Sequence, residues 1–91
     1  IFTYYLSDDL EGYTEYDEQT LELVTTMPGY LGYESLKHNG RGMFISYWKD
    51  MESIQAWGRH PKHLEAKKLG IQRWYKSYNS MIAEVQHWRE Q

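Results

Sequence analysis

Apolar and polar positions follow two periods along this chain, and the places where the period changes delimit its elements. Ile1 to Leu6 is short, aromatic and β-favouring, and Ser7, Asp8 and Asp9 end it, which predicts a first strand. From about Gly12, residues Tyr13, Tyr16, Thr20, Val24 and Met27 recur at three- and four-residue steps. Acids gather near the start of that run, where a helix dipole favours them, so the segment predicts a helix. Pro28 disfavours the α conformation at Met27 and Gly29 can take positive φ, so the pair ends the helix and turns the chain.

Tyr30 to Lys37 alternates loosely and leads through His38-Asn39-Gly40 to the β-rich GMFISYW. Asn39-Gly40 is a favoured hairpin pair because both positions tolerate positive φ, and the further glycine at 42 suggests a bulge or a longer loop. Ser46-Tyr47-Trp48 reads as a strand end and Asp50 as the cap of a helix from Met51. Ile54, Trp57 and Leu64 project from one side of that helix, and a kink or break is expected at His60-Pro61. After Gly70, IQRWYKSY fits no single period. Asn79 to Trp88 reads as a last strand, with Met81, Ala83 and Val85 alternating against Ser80, Glu84 and Gln86.

The order strand, helix, strand, strand, helix, strand is that of a ferredoxin-like α+β fold, with an antiparallel four-stranded sheet and helices on one face. One domain spans residues 1–91, a length that encloses one sizeable core. The other sheet face would expose Tyr, Trp, Met and Ile, so a second copy packing sheet against sheet, a homodimer, is the natural cover.

Composition changes this picture in two ways. Nine tyrosines and four tryptophans make large amphipathic rings the chief apolar material, which suits pocket walls and interfaces as well as a small core. With 10 Lys plus Arg against 13 Asp plus Glu the net charge is −3, which disfavours nucleic acid as a partner. The basic residues between Arg59 and Lys76 could still attract an acidic small molecule, or form a solvated helix face. The chain has no cysteine, which excludes disulfides, thiolate metal sites and cysteine nucleophiles. There is no apolar run long enough to span a membrane and no leader ahead of Ile1, so a cytoplasmic protein without membrane contact is expected.

Four stretches carry a resemblance: MPGYLGYES at 27–35, SYWKDMESIQAW at 46–57, HPKHLEAKKLG at 60–70 and WYKSYNSMIAEV at 74–85. Together they resemble the antibiotic biosynthesis monooxygenase family, whose members are dimeric α+β barrels of ferredoxin-like subunits. The family's heme-degrading branch places tryptophan where Trp48 stands and an aromatic where Trp57 stands. Its proximal histidine falls at Lys67, which cannot ligate iron, and its first-strand asparagine is missing from Ile1 to Leu6. Heme would therefore need His60 or His63 from a shifted register.

The cofactor-independent branch implies an aromatic pocket, a base that forms the substrate anion, and donors for the oxygen adduct. On this resemblance Trp48, Trp57, Trp74 and Tyr75 are wall candidates, His60 is the candidate catalytic base, and Arg73 or Tyr4 would be a hydrogen-bonding or charged partner for a small aromatic substrate. Each also has a bland role: tryptophan as core, arginine on the surface, tyrosine in an interface. His60 and His63, three apart, could approach one metal ion, but two ligands without a neighbouring Asp or Cys make no metal site. On a continuous helix His60 lies nearer the Trp57 face than His63, which then faces solvent; a break at Pro61 would rotate the second half. No flavin is implied, since no glycine-rich dinucleotide motif is present. A noncatalytic ligand-binding or dimerisation module using the same pocket is the alternative.

Overall fold

A computed structural model describes all residues, 1–91. The chain runs β1 (Phe2–Leu6), α1 (Tyr13–Val24), β2 (Tyr30–His38), β3 (Arg41–Trp48), α2 (Met51–Gly58), α3 (Pro61–Leu69), a π turn at Gly70–Trp74, and β4 (Tyr75–Ser80). The strands form one antiparallel sheet in the order β2-β3-β1-β4. This is the ferredoxin-like α+β arrangement that the hydrophobic pattern implies.

Local chemistry explains most boundaries. Asn39 (φ 49°) and Gly40 (φ 77°) both adopt positive φ, so β2 and β3 are joined by a two-residue turn. The irregularity in this hairpin lies at its far end, between Tyr30 and Gly32, rather than at Gly42. Asp50 caps α2 through Oδ1, which accepts the Ser53 backbone N–H at 2.9 Å. The expected break separates α2 from α3, with Pro61 at the first position of α3, where a missing N–H removes no helical bond.

The last strand differs from the sequence expectation. β4 begins within IQRWYKSY and ends at Ser80, while residues 81–91 form no strand. β4 runs antiparallel to β1, and their pairing reaches Met81, whose N–H donates to the Ile1 carbonyl at 2.9 Å. The alternation of Met81, Ala83 and Val85 continues beyond that pairing without a ladder of its own.

The register aligns Lys37, Gly42, Tyr4 and Tyr78 in one rung across all four strands, and Ser35, Phe44, Phe2 and Ser80 in another. This is the face toward α1, since Tyr4 meets Tyr13 and Lys37 lies over the Tyr13 ring. The opposite face carries the rung Leu36, Met43, Thr3 and Asn79, with Tyr5 and Arg41 beside it. Leu36 is 76% and Met43 39% exposed there. The core consists of Tyr4, Tyr13, Val24 and Trp74, so it is built mainly from rings with polar tips. No helix is long and apolar enough to cross a membrane.

Candidate functional site

The buried rings converge where α1, the π turn and the sheet meet. Tyr4 lies across Gly42, whose Cβ, if present, would overlap the ring, and Tyr75 lies in the same way against Gly70. Two glycines thus make room for two phenols. The Tyr4 and Tyr13 hydroxyls share a hydrogen bond of 3.3 Å. Tyr75 packs 5.1 Å from both Phe2 and Tyr4 between ring centres. Trp74 receives Tyr13 edge-on at 5.6 Å and Tyr16 at 5.5 Å, and its indole N–H donates to the Glu11 carbonyl at 2.9 Å.

Burial pushes the Tyr13 phenol up to about 12 and raises Tyr4 and Tyr75 further. These hydroxyls therefore stay protonated near neutral pH, as hydrogen-bond donors. A cavity of about 40 Å³ opens beside the cluster, lined by Tyr13, Tyr16, Asp17, Thr20, Ala66, Trp74 and Tyr75. Beyond it, a more open cleft of about 400 Å³ is lined by Gln19, Glu22, Leu23, Thr26 and Lys62. Tyr16 lines the smaller of the two. Its hydroxyl donates to Glu65 at 2.5 Å, and Lys62 Nζ, from the cleft, lies 4.2 Å over its ring.

The candidate residues divide into groups. Tyr4, Trp74 and Tyr75 belong to the cluster just described. Trp57, His60 and His63 form a second group where α2 meets α3. Trp48 forms a third, edge-on to Tyr30 at 5.6 Å with its N–H on Ser46 Oγ at 2.8 Å. None of the ring contacts bridges these groups. Arg73 points outward in an exposed ion pair with Asp9 at 3.7 Å, and Lys67 is exposed on α3.

The break at Pro61 settles how the two histidines are oriented. His63 stacks on Trp57 at 4.7 Å and 16°, and its Nδ1–H donates to the Trp57 carbonyl at 3.1 Å, leaving Nε2 unprotonated in the neutral ring. Burial lowers its pKa. His63 therefore faces Trp57, not solvent. His60 lies 5.5 Å from Trp57 and caps α3, its Nδ1 accepting the Lys62 N–H at 3.1 Å, so its neutral ring carries the proton on Nε2. His60→Ala should lower stability by about 1 kcal/mol, as loss of a helix cap does, with Asn restoring it; urea unfolding measures both.

Phe2, Tyr13, Tyr16 and Asp17 join the main cluster without having been singled out as site residues. For Asp17 a signal existed: it occupies the stripe defined by Tyr13, Thr20 and Val24, where an acid breaks the apolar pattern.

Comparison with known proteins fits the same fold. The antibiotic biosynthesis monooxygenase family model matches residues 4–69, well over half the chain. YqjZ of Bacillus subtilis (strain 168), an uncharacterized protein, is 39% identical over 90 residues, covering 98% of this chain and 79% of its own. A Nitrosomonas europaea structure described as an antibiotic biosynthesis monooxygenase superposes with a TM-score of 0.76 at 13% identity, covering 94% of this chain and 95% of that one. SnoaB of Streptomyces nogalater, described as a cofactor-independent oxygenase, superposes with a TM-score of 0.70 at 11% identity, covering 93% and 90%. At such identities the structural likeness speaks for the fold, while the family match speaks for descent. The chain belongs to the antibiotic biosynthesis monooxygenase family.

Proposed function

We propose that this protein is a cofactor-independent oxygenase that converts a small phenol to a quinone, working as a homodimer. The observation that carries this is the ring cluster of Tyr4, Tyr13, Trp74 and Tyr75, of which Tyr13, Trp74 and Tyr75 line a cavity beneath α1, the two phenols protonated. Aromatic walls suit a flat substrate, and fixed O–H donors suit negative charge developing on its oxygen. A phenol with a free para carbon supplies all the electrons the reaction needs. Its anion combines with dioxygen, one oxygen atom becomes the second quinone carbonyl, and the other leaves as water with the two displaced hydrogens.

Oxygen consumption with a panel of phenols and naphthols, with the quinone followed by absorbance, tests this. Enzyme-dependent formation of quinone and water in equal amounts is expected. Ligand-induced thermal stabilisation without oxygen uptake by any compound would instead identify a noncatalytic binding module.

The dimer is supported by the open sheet face. Tyr5, Leu36 and Met43 are exposed on it, and Trp88 from the last segment covers only part, edge-on to Tyr47 at 5.5 Å. Light scattering should give twice the 11.0 kDa chain mass, and Leu36→Lys with Met43→Lys should reduce it to that of one chain.

A further inference from the structure

We propose that Asp17 is the base of the oxygenase site, its carboxylate taking the proton from a substrate hydroxyl presented in the cavity beneath α1. This rests on the oxygenase reading above and adds to it the group that forms the reactive anion.

Placement comes first. Asp17 lies four residues after Tyr13 and seven before Val24, both buried, so the sheet-facing stripe of α1 carries a carboxylate at its middle. The ion pair of this chain joins Arg73 to Asp9, well away from it, and Lys37, the cation facing the cluster from β2, is engaged over the Tyr13 ring at 4.6 Å. The Asp17 carboxylate is thus left to the cavity it lines.

Elimination comes second. Of the seven lining residues, Thr20, Ala66 and Trp74 cannot act as bases at neutral pH. Tyr13 and Tyr75 are held protonated chiefly by burial, and Tyr16 chiefly by its hydrogen bond to Glu65. Asp17 remains. The charged and titratable groups around it are Tyr13 and Tyr16 on α1, Tyr4 on β1, Lys37 on β2, Tyr75 on β4, and Lys62 and Glu65 on α3 beyond Tyr16.

Size comes third. A cavity of about 40 Å³ admits a hydroxyl-bearing edge rather than a whole ring. Lys62, which lines the wider cleft, lies over the ring of Tyr16, which lines the cavity, so a substrate ring held on the cleft side of Tyr16 would present a hydroxyl toward Asp17. In the step itself the substrate O–H bond breaks and a carboxyl O–H forms on Asp17. The negative charge passes to the substrate oxygen, where the Tyr13 and Tyr75 hydroxyls can donate to it.

The experiment compares the full chain with Asp17→Asn and Asp17→Glu, each checked for folding by circular dichroism. With the fastest phenol of the panel, Asp17→Asn should lower kcat at least about a hundredfold, with KM within about threefold. Asp17→Glu should recover part of the rate. Retention of rate in Asp17→Asn overturns the assignment. A readout that needs no turnover separates this from failure of the oxygenase reading. Bound 4-nitrocatechol should shift toward its phenolate absorbance with the native chain and not with Asp17→Asn, even if no phenol is oxidised. A native chain that produces no shift, or an equal shift in Asp17→Asn, overturns the proposal.

Discussion

Trp74→Ala should be the most destabilising single substitution in this chain, lowering unfolding free energy by about 3–5 kcal/mol, the range for removing a buried tryptophan. Trp74 is 2% exposed and receives Tyr13 and Tyr16 against its ring. Truncation opens a void that these tyrosines, anchored through Tyr4 and Glu65, cannot readily fill. It also deprives the Glu11 carbonyl of its indole donor. Against a typical domain stability of about 5–15 kcal/mol, the variant should be marginal at 37 °C. Chemical denaturation of Trp74→Ala and Trp74→Phe measures this, with Phe expected to recover more than half of the loss. A loss under about 1 kcal/mol would show that the cluster is not the core.

Gly42→Ala should be nearly as damaging although it adds a single methyl group. The new Cβ would overlap the Tyr4 ring, which is buried and held by its hydroxyl contact to Tyr13. Gly42 sits in β3 between Lys37 and Tyr4, so the backbone can yield only by disturbing both ladders. Overpacking of this kind costs about 1–3 kcal/mol, and here the displaced ring is part of the cavity wall's support, so ligand affinity should fall as well. A double-mutant cycle with Tyr4→Ala isolates the cause. Strong non-additivity, with Gly42→Ala nearly harmless once the ring is gone, is the expected result; additive losses would place the strain elsewhere.

The fold was largely legible because its signals are local. The Tyr13-to-Val24 stripe, the Asp50 cap, the Asn39-Gly40 turn and the proline at 61 each act within a few residues, and each lies where the structure has the corresponding feature. The end of β4 was not legible, because a strand needs a partner, and the partner of β4 is β1, far from it in the sequence. The site was legible only in part. Tyr4, Trp74 and Tyr75 meet, whereas Trp48 and Trp57 pack locally with Tyr30 and with His60 and His63. Periodicity says which side of a helix a ring occupies and not which other ring it meets across the fold. Asp17 left one signal, an acid in the Tyr13, Thr20 and Val24 stripe, and with Glu15, Glu18 and Glu22 around it that signal looks like the rest of an acidic helix.

The π turn has a consequence for how this chain tolerates length changes. The Tyr75 N–H reaches back five residues to the Gly70 carbonyl, so the segment holds one residue more than an α-helical turn would need. Deleting one residue between Gly70 and Arg73 could be accommodated by ordinary helix, but everything beyond would be rotated by about 100° about the α3 axis. Trp74 would swing away from Tyr13, and β4 would meet β1 with its two faces exchanged. A one-residue deletion here should therefore be far more harmful than a deletion in the segment after Ser80, where no strand phase has to be kept.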